Sequence, residues 1–283
     1  MTRVLSALVL LPVVIGTIWF LPAQGTLILA TVAGVLAFGE YRHLADALKI
    51  SVPYGIGATA VVLVCSAMWF SGQPYDDIVS SDGIAHAVMA PNAVALVLLA
   101  ALVVTGATSV ASGRPYPGVL ADAAATAFAP IYLGLPLGAL AAIRAEWAGG
   151  GRLPLLLLLA VIVVSDSAQY YTGRAFGKRP LSPAISPKKT VEGAIGGVVF
   201  GTAAFAVGGS YLFGAPFWAL ALLGAAISLL GIVGDLFESL LKRSAGVKDS
   251  SQLIPGHGGV LDRIDSWLFA APVYYMFLPF LAR

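Results

Sequence analysis

Residues Leu155–Tyr171 read LLLLLAVIVVSDSAQYY. Leu155 through Val164 form an unbroken apolar run, and then Ser165, Asp166, Ser167 and Gln169 follow without a turn signal. A helix needs about 20 apolar residues to cross the hydrocarbon of a bilayer, and it satisfies its own backbone polar groups while doing so. We therefore read 154–172 as a membrane span whose inner end turns polar before the helix stops. Asp166 lies inside that end, one helical turn from Tyr170. An ionised side chain at mid-bilayer costs about 2.5–3.5 kcal/mol on insertion scales. Asp166 is thus expected to face protein, water or a headgroup, either as a functional carboxylate or as a structural partner of Lys or Arg.

The rest of the chain repeats this pattern. Of 283 residues, 59% are hydrophobic and 11% charged, with a mean hydropathy of +0.90. Soluble domains carry about 25% charged residues, so an ordinary soluble enzyme is excluded. The formal charge of +2 says little by itself, and no nucleic-acid partner is expected from it. The single cysteine, Cys65, excludes an internal disulfide and a thiolate metal cluster. The opening MTRVLSALVLLPVVIGTIWFLPAQG has the look of a leader. With so many similar stretches behind it, we read it as a retained first span.

Nine spans are expected, at about 4–20, 25–40, 53–70, 88–108, 119–141, 154–172, 191–212, 215–234 and 266–281. The second and last are short, and Pro130 and Pro136 suggest that the fifth is kinked or doubled. The fold class is all-α: a polytopic integral membrane protein forming a single membrane domain. Residues 1–150 supply N-terminal helices and 151–283 a catalytic half. With the N-terminus inside, 13 of the 16 basic residues fall on inner segments, and Arg144, Arg152 and Arg283 fall outside. That is the positive-inside pattern. The 71–87 segment, with three aspartates and no Lys or Arg, suits an outer loop. The N-terminus is expected in the cytoplasm, the C-terminus outside, and the active site on the cytoplasmic side.

Inner polarity concentrates in two stretches, Ser165–Gly193 and Gly234–Asp265. In the second, Asp235, Glu238, Ser239 and Lys242 recur at three and four residues and so share one helical face. An ordinary interfacial helix end accounts for Lys242 and Arg243, less well for Asp235 and Glu238. Next comes KDSSQLIPGHGGVLDRID, Lys248–Asp265. Asp249 and Asp262 offer hard oxygens of the kind Mg²⁺ takes, usually one or two carboxylates completed by water and phosphate. Pro255–Gly259 supplies a tight turn with exposed N–H groups and little bulk, where phosphates can approach. Asp265 lies three residues past Asp262, with Arg263 between; capping the last helix is the alternative role for Asp265. Zinc at His257 is not expected, because His43 and His86 fall on opposite sides of the membrane and no cysteine is near. In the first stretch, SPKKT sets Lys188 and Lys189 beside a proline-braced turn, for phosphate or, more blandly, for anionic headgroups. Carboxylates for a divalent metal and cations for phosphates, together at a membrane surface, imply phosphoryl or nucleotidyl transfer onto a lipid-borne acceptor.

Ser239–Asp265, SLLKRSAGVKDSSQLIPGHGGVLDRID, resembles the signature of the phosphatidate cytidylyltransferases, or CDP-diacylglycerol synthases. The match runs through Ser239, Lys242-Arg243, Lys248-Asp249, Pro255, His257-Gly258-Gly259 and Asp262-Arg263-x-Asp265. The segment SDSAQYYTGRAFGK through LSPAISPKKTVEG is also similar to that family. The resemblance implies transfer of CMP from CTP to phosphatidic acid, giving CDP-diacylglycerol and pyrophosphate. It further implies Mg²⁺ dependence (two ions, or Mn²⁺ in their place), homodimers, and a bacterial inner-membrane location among membrane lipids. On that basis Asp249 is a metal ligand, with Asp262, Asp235 and Asp166 as further candidates. Asp249, Lys248, His257 and Asp262 form the catalytic set, His257 as phosphate donor or organiser. Lys188, Lys189, Lys242, Arg243, Lys248 and Arg263 divide between triphosphate and headgroup, with Ser239, Gly258 and Gly259 lining the phosphates. Three rivals fit less well. An enzyme consuming CDP-diacylglycerol would show a DxxDG series followed by AR, which this sequence lacks. A transporter would carry its polar groups at mid-membrane in two related halves, and a scaffold subunit would need neither the aspartates nor GHGG.

Overall fold

The computed structural model describes residues 2–71, 83–111, 113, 115–146, 151–254, 256 and 258–281. Apolar runs became helices throughout: α1 Thr2–Phe20, α2 Ala23–Ala47, α3 Tyr54–Ser71, α4 Gly83–Ala111, α5 Val119–Ala129, α6 Leu135–Glu146, α7 Arg152–Phe176, α8 Val191–Leu212, α9 Phe217–Ser244 and α10 Leu261–Leu281. Among the described residues, eight helices are long and apolar enough to cross a membrane, counting α5–α6 as one; α1 adds the shorter apolar stretch Leu10–Phe20. The chain is a multi-pass membrane protein. The expected outer loop falls largely on 72–82, outside the described residues, as do Arg114 and Arg283.

Four helices differ from expectation in ways that matter. The fifth span, expected to be kinked or doubled, is a single span with an irregular turn at its first proline. Pro130 and Pro136 each lack an N–H, and the chain absorbs this in one widened π turn, Pro130–Gly134, where Leu135 N donates to Pro130 O. The helix then continues, giving 27 residues, Val119–Ala145, 78% of whose best apolar window is buried. The second span is 25 residues long rather than short, and its last turns carry Glu40, Tyr41 and Leu44 into the interior. The eighth runs ten residues past its expected end, to Ser244, keeping Asp235, Glu238, Lys242 and Arg243 helical. The last begins five residues early, at Leu261.

Two compact units result. The first comprises Met1–Gly151 and Ser244–Leu261. In it α3 packs against α2, α4 and α6 around Phe38, Val61, Val64, Leu133 and Ala139, all fully buried. Gly138 lets α6 reach α3 closely: a Cβ there would lie 2.9 Å from the Cys65 backbone oxygen. Such small-residue contacts are how helices associate where lipid is as apolar as the side chains. The second unit comprises Arg152–Arg243 and Asp262–Arg283. Its tightest pair is α7 with α8, where Gly197 seats against Gln169 and the Ser165 backbone. The α7–α8 link is not simple loop. It forms an antiparallel hairpin, β1 Pro180–Ser182 and β2 Ser186–Thr190, a small exception to the all-α class.

Candidate functional site

In the second unit, four elements bring charged side chains together. Thr190 ends β2 and caps α8, its hydroxyl accepting from Gly193 N at 3.1 Å. Glu192, in the first turn of α8, accepts from Lys178 N at 3.0 Å and Arg179 N at 3.2 Å, and pairs with the Arg179 guanidinium. Arg243 Nε donates to Ile185 O at 3.3 Å, joining the hairpin turn to the end of α9. The hairpin is thereby fixed at both ends, so the direction of its lysines is fixed too. SPKKT is itself strand β2, and the turn beside it is 183–185. Successive strand residues point to opposite faces. Lys189 accordingly turns inward and pairs with Asp235 of α9, while Lys188 is exposed.

Asp166 of α7, Asp235 of α9 and Asp265 of α10 stand in one another's electrostatic field, with Lys189 and Lys242 beside them. Gln169 Nε2 donates to Asp166 Oδ1 at 3.5 Å, and Ser239 Oγ to Asp235 Oδ1 at 3.5 Å. Asp265 accepts from Ser266 N at 2.6 Å. It is the fifth residue of α10, so the capping role considered for it does not apply; Asp262 holds the first-turn position. Lys242 pairs with two carboxylates, Glu238 one turn back and Asp262 of α10. The shared face read from the sequence therefore divides into two couples, Asp235 with Ser239 and Glu238 with Lys242. Arg263 is exposed.

The carboxylates here outnumber the lysines, and like charges in one another's field call for positive charge. Among the described residues no three His, Cys, Asp or Glu side chains converge as a metal-holding group. An all-protein cation cage is thus not what these residues build. A pair of carboxylates completed by water and phosphate oxygens is the Mg²⁺ mode they fit.

In the first unit, Lys248 and Asp249 are exposed just after Gly246, whose φ is +72°. Gly256 and Gly258 have φ of +78° and +79°, and Ile254 N donates to Gly258 O at 2.8 Å. Glycine holds that region without strain, as Gly256 and Gly258 do here. Pro255 and His257 lie outside the described residues. Gly259 is buried. A residue the sequence did not flag organises this segment. Glu40 of α2, 5% exposed, accepts from Ser250 Oγ at 2.8 Å and Ser251 Oγ at 2.7 Å. It also accepts from Val260 N at 2.9 Å and Leu261 N at 2.8 Å.

Helices long and apolar enough to cross a membrane, whose polar ends in the second unit carry a set of carboxylates with Lys189 and Lys242 against them, define a polytopic membrane protein with a charged site. Residues 1–281 match the family model described as "Cytidylyltransferase family". The chain belongs to that family. It is also 48% identical over 130 residues to a phosphatidate cytidylyltransferase of Synechocystis, covering 45% of this chain and 44% of that protein. It is 45% identical over 124 residues to one of Aquifex aeolicus, covering 44% and 46%. To one of Mycobacterium leprae it is 39% identical over 170 residues, covering 60% and 54%. The matched part spans about half the length of these relatives.

Proposed function

We propose that the chain is a phosphatidate cytidylyltransferase, transferring CMP from CTP to phosphatidic acid to give CDP-diacylglycerol and pyrophosphate. The observation that carries this reading is the grouping of Asp166, Asp235 and Asp265 with Lys189 on membrane-crossing helices, in a chain of the cytidylyltransferase family. A phosphate oxygen of phosphatidate attacks the α-phosphorus of CTP; the bond from that phosphorus to the α,β-bridging oxygen breaks, and pyrophosphate leaves with those electrons. No proton need be removed from an acceptor that is already anionic, so what the protein must supply is screening of one anion against another. Asp166 and Asp235 would hold Mg²⁺ in the second unit, and Asp249 is assigned a metal-ligand role from the signature in which it stands. Bound there, Mg²⁺ supplies charge neutralisation of the reacting phosphates. Lys188, Lys248 and Arg263, all exposed, would take the triphosphate and headgroup, and Lys189 holds Asp235. Acyl chains stay among membrane lipids while the phosphate meets CTP from the cytoplasm. The thirteen inner basic residues support an inner-membrane protein with its N-terminus cytoplasmic and C-terminus outside. We assign it a homodimeric state.

The test uses protein in mild detergent with phosphatidate, Mg²⁺ and CTP labelled on its α-phosphate. Label should enter the lipid phase only with both phosphatidate and metal, with pyrophosphate released in step, and Asp249→Asn should abolish it. A folded preparation that labels no lipid with CTP or dCTP would sink the reaction; labelling that survives Asp249→Asn would remove Asp249 from the metal site.

The two adjacent lysines should separate in the same assay. Lys188→Ala removes one exposed charge, worth about 1 kcal/mol beside an anion, and should raise the KM for CTP about fivefold. Lys189→Ala also strips Asp235 of its partner and should lower kcat as well. Initial rates against CTP concentration distinguish them; equal effects would contradict the strand geometry.

A further inference from the structure

The four hydrogen bonds to Glu40 have a pattern that a generic buried ion pair would not show. Each carboxylate oxygen takes one serine hydroxyl and one backbone N–H: Oε1 holds Ser251 Oγ and Val260 N, Oε2 holds Ser250 Oγ and Leu261 N. The partners are 210 to 221 residues away in sequence. They sit at the two ends of one excursion, Ser250–Leu261, whose described residues before Leu261 form no helix and one bridge, Ile254 to Gly258. One side chain thus clamps both stems of the loop that carries Gly256 and Gly258. The space is committed to it: a Cβ on Gly259 would collide with Ser250 Oγ and with the Glu40 carboxylate. Glu40 is itself a residue of α2. It binds the N–H groups of Val260 and Leu261 from another helix altogether.

We propose that Glu40 is a positioning residue for the CTP-binding loop, a role that rests on the cytidylyl-transfer reading. It holds the 250–261 excursion in the conformation that presents its glycine turn to the triphosphate. Glu40 itself is buried behind the loop and touches no substrate. Loops without a hydrogen-bond ladder open at low cost, and this one is closed by a carboxylate whose four acceptor positions are filled.

Glu40→Gln tests this sharply. The amide has nearly the same shape, but in either orientation its NH₂ faces a backbone N–H, Val260 or Leu261, that cannot turn to accept. A serine hydroxyl can turn; a peptide cannot. In detergent-solubilised full-length protein, amide hydrogen exchange over 250–261 should rise at least about tenfold while α2, α3 and α7–α10 keep their protection. The KM for CTP should rise about tenfold or more, with kcat at saturating CTP changed less than about threefold. Glu40→Asp keeps the charge and should recover part of both losses, and the Ser250→Ala/Ser251→Ala pair, which spares the backbone bonds, should be milder than Glu40→Gln. If Glu40→Gln does not accumulate, Gly259→Ala disturbs the same contact from the loop side and should give the same two readouts. Unchanged exchange over 250–261 overturns the proposal, as does loss of protection spread evenly over all helices. Local opening with an unchanged KM overturns the substrate role. If the unsubstituted protein itself makes no lipid product from CTP, the cytidylyl-transfer reading fails instead, while exchange still decides whether Glu40 sets the loop.

Discussion

Asp235→Asn is expected to lower transfer of label from CTP to lipid by roughly 10²–10³-fold, the range seen when one preorganised electrostatic group is removed from a reacting centre. The substitution is isosteric and leaves one acceptor oxygen where the carboxylate had two, for Ser239 or Lys189 but not both; the site is partly hydrated, so the protein should elute and melt like the parent. What it loses is charge. Asp235 is the member of the acidic group that pairs directly with Lys189, and it lies in the field of Asp166 and Asp265. Neutralising it removes a metal-holding carboxylate and also releases Lys189. Raising Mg²⁺ should recover part of the loss, since a weakened site refills at higher metal concentration. Ser239→Ala, which removes only a 3.5 Å contact to the same carboxylate, should cost under about tenfold. Rates are read from lipid-phase label at several Mg²⁺ concentrations. Asp235→Asn retaining more than about a third of parental activity would take Asp235 out of the reacting centre, because no essential carboxylate tolerates neutralisation so lightly.

The sequence made the spans legible because hydropathy is local: a bilayer imposes the same demand on every 20-residue window. Span ends were less legible. Helix α9 continues to Ser244 since its polar face is satisfied by partners from elsewhere, Lys189 for Asp235 and Asp262 for Lys242. No window around residue 235 contains that information. The hairpin was missed for a related reason: Pro180, Pro183 and Pro187 read as loop, and its strands are held by Thr190, Glu192 and Arg243 contacts from the flanking helices. Asp166 and Asp235 were found by asking which charges are costly in a membrane. Asp265 was given a capping alternative because the start of α10 was placed five residues late, and moving that start to Leu261 brings it among the carboxylates. Glu40 carries no local signal at all. Within α2 it is one acid near a helix end, and what makes it matter is more than 200 residues downstream. Spacing arguments detect clusters along the chain; they are blind to a clamp formed by one residue and a distant loop.

The cations also divide in a way the sequence left open, and Lys242→Met makes the division measurable. Lys242 was a candidate for phosphate binding. Its ammonium instead lies between Glu238, whose side chain is fully buried, and Asp262, 6% exposed. Removing one partner of a buried ion pair costs about 3–5 kcal/mol, because the remaining charge stays buried without compensation. Lys242→Met should therefore melt far below the parent in detergent, followed by fluorescence-detected size exclusion. Adding Glu238→Gln removes the stranded charge and should recover most of that loss. The recovery is incomplete because Asp262 remains, though it sits in the first turn of α10, where the helix dipole favours an acid. Activity then decides the role. If Lys242 is a structural bridge, the Glu238→Gln/Lys242→Met protein should retain cytidylyl transfer within about tenfold once it is folded. If Lys242 binds phosphate, that protein should be stable and inactive. A midpoint for Lys242→Met within about 2 °C of the parent, well under the shift that 3 kcal/mol produces in a chain this size, would show that the bridge contributes little. Lys242 would then be restored to the triphosphate. The geometry favours the bridge: an ammonium already shared by two carboxylates would have to give up at least one to take a phosphate, and the one most easily given up, Asp262, is the more exposed of the two.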